Sequence, residues 1–365
     1  MLNQKLIAVV IPAYNEEAQI GMVIESMPSF VDRIIVVNDM SKDRTAEVTR
    51  AYIPKLGLGI DLPAFRYADT DLKYNRAKRL LQEQNDAEQK YFTPSEVVND
   101  DPDRQRLILI NHLKNGGVGA SIATGYKWCK DHRIDCTAVM AGDGQMDPDE
   151  LESICGPVVN EGIDYVKGNR LIHRSAWMAI PRTRFFGNSI LSILTKMASG
   201  YWHVSDTQTG YTAISNRALN AIALYKIYKR YGMPNDMLVK LNIAFCTLRE
   251  VEIKPVYFIG ERSKMKVFKV IPRIFWLLNV SFLRRLYVKY LFRDFHPLFI
   301  LYHISFFLGI GAIPFAIKIF KRIAEGVDAN PVTILAFMFL VISSLQSLLF
   351  AMWMDIQDNE RLYKN

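Results

Sequence analysis

Three places in the chain carry side chains suited to phosphate and cation chemistry. The apolar run Thr137-Ala138-Val139-Met140 stops at Ala141-Gly142-Asp143-Gly144-Gln145-Met146-Asp147-Pro148. Short continuous apolar runs of this kind are buried parallel strands. Ligands of open α/β sheets sit beyond the carboxyl ends of such strands. A carboxylate and an amide placed there, Asp143 and Gln145, with glycines that let backbone approach, suit a hard divalent cation carrying a diphosphate. The same residues also read as a polar turn before a helix starting at Pro148-Asp149-Glu150, with Asp147 as its cap. Arg170 follows a second apolar run, Tyr165-Val166-Lys167-Gly168. Its guanidinium can clamp a diphosphate or an acceptor phosphate through two parallel hydrogen bonds, or it is a plain surface arginine. Near the N-terminus, Pro12, Ala13, Tyr14 and Glu16 open out of a strand and form a natural pocket for a base and ribose. Asp39, after the next strand, can accept hydrogen bonds from either, or sit as a carboxylate at a helix start. Asp43-Arg44-Thr45 reads as that helix turn. Gly116, Gly117 and Gly119 permit close backbone approach to a nucleotide or phosphate at a helix N-terminus, or simply make a tight turn.

The elements that must hold these residues alternate. Leu6–Pro12 is a strand, followed by a helix to about Met27. Arg33–Val37 is a strand, followed by a helix from near Thr45. Leu107–Ile110 is a strand, followed by a glycine-rich turn and a helix to Lys130. This alternation predicts a mostly parallel, doubly wound α/β sheet. The pattern breaks between about 55 and 105, a charged segment read as a surface insertion with a helix at about Asp71–Tyr91. The 365 residues are 50% hydrophobic and carry a formal charge of +8. Cys129, Cys136, Cys155 and Cys246 have no zinc spacing and read as reduced core residues. No removable N-terminal signal segment is evident.

The last third differs in kind. Residues 297–317 and 331–354 are apolar, contain no charged residue, and are each long enough to cross a bilayer of ~30 Å hydrocarbon thickness. A short link makes them a hairpin. Before them Arg262, Lys264, Lys266, Lys269, Arg273, Arg284, Arg285, Lys289 and Arg293 alternate with apolar residues. Such a basic amphipathic stretch, about 261–295, belongs on a membrane surface and places the N-terminal domain on the cytoplasmic side. Nucleic acid is thereby excluded as the partner for the positive charge. Gly309 and Gly311 permit close helix contact and hence a homo-oligomer.

The order of these pieces resembles the family 2 glycosyltransferases of the GT-A fold, and within them the polyprenyl-phosphate glycosyltransferases related to dolichyl-phosphate mannose synthase. The resemblance is carried by Val10 to Glu17, Val37 to Thr45, Asn115 to Ala120, Asp143-Gly144-Gln145, Gly168-Asn169-Arg170 and Asp206 to Tyr211. It implies a GT-A catalytic domain over 1–260 and two transmembrane helices over 296–355, with 356–365 as a cytoplasmic tail. It implies a nucleotide-sugar donor bound by Pro12, Ala13, Tyr14, Glu16, Asp39 and Gly117, and a divalent cation (Mg2+ or Mn2+) on Asp143 and Gln145. The catalytic set would be Asp143, Arg170, Asp206 in an acceptor-side loop and Asp236 at a helix start, although Asp236 reads equally as an N-cap. Arg182, Arg184, Arg262 and Lys264 would meet the phosphate of a polyprenyl acceptor, and membrane lipids would surround the anchor. The family signature has an aspartate where this chain has Ala141. A processive polysaccharide synthase would carry a Gln-x-x-Arg-Trp motif, which this chain lacks. A membrane-tethered binding protein without activity is the reading from another class.

Overall fold

The computed structural model describes residues 1–62, 73–176, 182–256 and 267–364. Eight strands form one sheet: β1 Ile7–Ala13, β2 Arg33–Asn38, β3 Ser95–Val97, β4 Leu107–His112, β5 Cys136–Val139, β6 Tyr165–Asn169, β7 Thr212–Ser215 and β8 Leu248–Glu252. Their spatial order is β3-β4-β2-β1-β5-β7-β6-β8. The block β4-β2-β1-β5 is parallel, as the alternation predicts. β7 runs antiparallel between β5 and β6, and β3 runs antiparallel along the outer edge of β4. The segment read as a surface insertion therefore contributes a strand to the sheet edge as well as a helix at Arg76–Glu88.

Helices cover both faces: α1 Ile20–Glu25, α2 Thr45–Leu56, α3 Arg76–Glu88, α4 Val118–Asp131, α5 Leu151–Glu161, α6 Arg182–Ser199, α7 Asn216–Ala221 and α8 Met233–Ile243. Because strand side chains alternate, Ala8 and Val10 of β1 join the core under α4, and Ile7, Val9 and Ile11 join the core under α1 and α5. Full burial of such aliphatic side chains contributes about 1.5–3 kcal/mol each. α4 lies very close to the sheet: a Cβ on Gly125 would stand 2.4 Å from Val10 Cγ1.

Beyond the sheet domain run α9 Val267–Tyr287, α10 Pro297–Ala324 and α11 Pro331–Glu360. α10 and α11 are long and apolar enough to cross a membrane, and most of their surface is exposed. They pack as a pair, with Ser344 Oγ donating to Ser305 O at 2.8 Å. Gly309 serves this intramolecular contact, since its Cβ would sit 3.2 Å from Ser344 Oγ. α9 buries Ile274, Leu278, Ser281 and Arg285 at helical spacing. Ile274 and Leu278 pack with Ala198 of α6 and Val239 of α8.

A buried polar joint ties the pair to the sheet domain. Arg285 donates to both oxygens of Asp355, each at 2.7 Å, and to the carbonyls of Ala198 and Met197 at the end of α6. Tyr290 Oη donates to Asp355 at 2.9 Å. Lys289 reaches Asn359 and Asn242. Past α11 the chain adds a bridge beside β8: Leu248 N donates to Leu362 O at 2.7 Å, and Lys364 N donates to Leu248 O at 2.8 Å.

Candidate active site

The carboxyl edge of the sheet gathers the residues singled out in the sequence, in the lateral order of their strands. At β1 and β2 the exit loops are latched together. Asn15 Oδ1 accepts from Lys42 N at 2.8 Å, and Glu16 N donates to Thr45 Oγ1 at 2.9 Å. Asp43 Oδ1 accepts from Thr45 N, which makes it the helix-start carboxylate expected. Pro12, Ala13, Tyr14, Glu16, Asp39 and Gly117 all line one cleft of about 560 Å³.

Asp39 is only 3% exposed. Its Oδ1 accepts from His112 Nδ1 and Gly116 N, and its Oδ2 from Gly117 N, all at 2.7 Å. Thr124 Oγ1 stands 2.9 Å from the far ring nitrogen of His112. Burial works to raise the Asp39 carboxyl. The hydrogen bonds from His112 and the two glycine amides outweigh it, so the group sits below the usual carboxylate range. Asp39 thus shapes the floor of the cleft and fixes the glycine turn. His112 went unremarked in the sequence because nothing local marks a strand-end histidine as the partner of a carboxylate 73 residues away.

The glycines also answer a packing need within the protein. The backbone that approaches them is the protein's own. A Cβ on Gly119 would lie 2.0 Å from Tyr228 O, and one on Gly117 (φ +87°) 2.5 Å from Lys229 O. Gly119 N donates to Lys229 O at 3.0 Å. The loop so held supplies Tyr228, Arg230 and Tyr231 to the cleft, and α9 supplies Arg273. None of these four is visible from local sequence, because each reaches the cleft from a distant element.

Asp143 and Gln145 lie on the turn after β5, the neighbour of β1. They are not among the described residues lining that cleft. Asp143 Oδ1 accepts from Gln145 N at 3.1 Å, and both residues are half-buried. A Cβ on the adjoining Gly142 would touch Pro12 O at 3.4 Å, so this turn rests on the end of β1. Among the described residues no three His, Cys, Asp or Glu side chains gather closely enough to hold a metal ion. One carboxylate and one amide are hard oxygen donors. They fit a divalent cation only if diphosphate and water fill its remaining positions. Asp147 caps the next helix by accepting from Asp149 N at 3.0 Å, as its sequence suggested.

Two expected catalytic acids, Asp206 and Asp236, are each held in an ion pair. Asp206 is 2% exposed. Its two oxygens accept from Arg170 Nε at 2.8 Å and Nη2 at 3.1 Å, and from the amides of Arg170, Gln208 and Thr209. With five donors around it, Asp206 anchors Arg170. Burial would raise it, but the Arg170 charge and hydrogen bonds and the Lys167 charge hold it low. Lys167, buried beneath, is brought down to about 8 by burial, against the pull of Asp206 and Glu250. Arg170 stays partly exposed at the edge, beside β6. Asp236 lies inside the first turn of α8, since that helix begins at Met233, four residues before the Met237 start that the sequence suggested. Both its oxygens accept from Lys240, and Oδ2 also accepts from Tyr228 N at 2.8 Å. It is a positioning residue for the Tyr228 loop. His203 packs against Tyr363. Arg182 and Arg184 fall where only the helix backbone is described, and Arg262 and Lys264 lie outside the described residues.

A mostly parallel sheet with one antiparallel strand, β7, beyond β5, carrying a cleft at its first loops and a carboxylate turn next to it, is a GT-A-like core. Residues 8–68 and 86–223 match the model of glycosyl transferase family 2, more than half of the chain. The chain belongs to that family and is a glycosyltransferase. It is 30% identical over 262 residues to the UDP-N-acetylglucosamine–dolichyl-phosphate N-acetylglucosaminyltransferase of Methanococcus voltae, covering 70% of this chain and 88% of that protein. It is 25% identical over 293 residues to a dolichyl-phosphate beta-glucosyltransferase of Trichomonas vaginalis, covering 74% and 69%. Among solved structures, a glucosyl-3-phosphoglycerate synthase of Mycobacterium tuberculosis superposes with a TM-score of 0.47 at 16% identity, over 77% of this chain and 81% of that one.

Proposed function

We propose that this protein moves a sugar from a nucleotide-sugar donor onto a polyprenyl phosphate at the cytoplasmic face of a membrane, in one step that inverts the anomeric carbon. The observation that carries this reading is the buried Arg285–Asp355 joint. It makes the two apolar helices a fixed continuation of the domain that holds the cleft. The named activities of the relatives from Methanococcus and Trichomonas support the same acceptor class. In the reaction, a phosphate oxygen of the acceptor forms the new bond to the anomeric carbon, and the bond to the nucleoside diphosphate breaks. A phosphate monoester is largely ionised near neutral pH, so no strong general base is needed. The ion-paired burial of Asp206 and Asp236 is consistent with that.

Asp143 and Gln145 would hold a divalent cation together with the diphosphate. Such a cation, when bound, neutralises charge that develops on the leaving group. Arg170, aligned by Asp206, adds a fixed positive charge at the same edge. The basic exposed residues Arg284 and Arg293 beside α10 favour the cytoplasmic side for this end of the pair. The strand-like contact of residues 362–364 with Leu248 supports both helix ends lying on that side.

The test is to incubate the purified full-length protein with UDP- and GDP-sugars, Mg2+ or Mn2+, and a short polyprenyl phosphate. A lipid-linked monosaccharide is the expected product. A polymer would indicate a processive synthase, and nucleotide binding without turnover a tethered binding protein. Product that appears equally well in excess chelator would remove the cation from the scheme.

A further inference from the structure

α9 does three things at once. Its inner stripe packs on α6 and α8. Its outer stripe is apolar and open: Phe275 is 53%, Trp276 71% and Leu283 50% exposed. Near its N-terminal end, Arg273 enters the cleft that holds Tyr14, Glu16 and Asp39. The outer stripe is continuous in the chain with the membrane-length helices that follow, which identifies a bilayer surface as its occupant. An apolar face with interfacial aromatics and flanking arginines suits that boundary.

The helix also touches the loop on the opposite wall. A Cβ on Gly232 (φ +108°) would lie 3.2 Å from Leu277 and 3.6 Å from Ile274. Gly232 adjoins Tyr231 and Arg230 of the cleft. The loop 228–232 is thus clamped between the Gly117–Gly119 turn on one side and α9 on the other. Arg230 and Arg273 are both exposed, and among the described residues neither is paired with a carboxylate. Two guanidinium groups that share a cleft and are held in no ion pair among the described residues suit an anionic phosphate.

We infer that Arg273 and Arg230 bind the phosphates of the donor nucleotide, and that seating the outer stripe of α9 in the bilayer sets donor affinity by fixing Arg273 in the cleft. The inference rests on the donor reading above and adds to it: the lipid-facing helix is itself a wall of the donor site.

The experiment uses the full chain in phosphatidylcholine/phosphatidylglycerol nanodiscs, with UDP and GDP titrated by calorimetry. For whichever nucleotide binds, Arg273→Ala is expected to weaken binding about tenfold or more, the scale of one lost charge-assisted contact of about 1.4 kcal/mol. Arg273→Lys keeps part of the affinity. The double variant Phe275→Asp, Trp276→Asp lies on the outward stripe. It is expected to weaken binding several-fold while the melting temperature stays near that of the parent. If Arg273→Ala binds within twofold of the parent, the arginine assignment is overturned. If the charged outer stripe leaves affinity unchanged, the coupling to the bilayer is overturned. Either result leaves the donor reading standing, whereas a parent protein that binds neither nucleotide removes that reading too.

Discussion

At the scale of single residues, the site is a row of carboxylates with different duties. Asp143 is the one expected to act on the departing diphosphate. Asp143→Ala should lower transfer on the order of a hundredfold or more, the usual cost of losing a charge-stabilising group, with stability changed by no more than about 0.5 kcal/mol. Near-parental turnover would take Asp143 out of the reaction. Asp39 is a structural carboxylate with a pH signature. Its folded carboxyl is held below the unfolded value, so its stabilisation is complete above about pH 4 and is lost as the pH falls through the folded value. Asp39→Asn should cost about 1–3 kcal/mol at pH 7, and the gap to the parent should close below pH 4 in denaturant titrations. A gap that stays constant with pH would contradict this. Asp39, Asp143 and Arg170 were legible because each follows an apolar strand. The burial of Asp206 and Asp236 was not, because their cationic partners, Arg170 and Lys240, are assigned only by the folded geometry.

Among the elements, the parallel strands were legible because each is a continuous apolar run buried on both faces. The strands that escaped notice lack that signal. Ser95–Val97 is a three-residue edge, Thr212–Ser215 is four residues with polar ends, and Leu248-Arg249-Glu250-Val251-Glu252 is half-charged. Such strands exist because a neighbour offers hydrogen bonds, and context rather than intrinsic preference decides them. The glycine turn shows the same limit, since the Tyr228–Lys229 backbone it admits is more than a hundred residues away. Gly119→Ala drives a Cβ into Tyr228 O and should cost about 1–3 kcal/mol, with weaker nucleotide binding from the displaced loop. Gly156→Ala in α5 has only Asn160 at 3.9 Å to meet and should be neutral or slightly stabilising. Equal melting temperatures for the two variants would argue against the close contact at Gly119.

Taken whole, the molecule is a cleft-bearing sheet joined to an apolar helical pair through a buried ion pair. Arg285 and Asp355 are both fully buried, and removing one leaves the other charged and without its partner. Arg285→Met or Asp355→Leu alone should cost about 3–5 kcal/mol, and the double variant markedly less than their sum, read as melting temperatures in detergent. Additive losses would mean the pair is not the joint. The apolar helices themselves were plain from composition; the pairing of Arg285 with Asp355 was not, since 70 residues separate them. That separation also sets an order of events during synthesis. Arg285 leaves the ribosome long before Asp355, and the first apolar helix and most of the second are made in between. The sheet domain therefore waits, with Arg285 unpaired, until most of the second helix has been made. A chain that stops short of Asp355 is left unfinished at this seam.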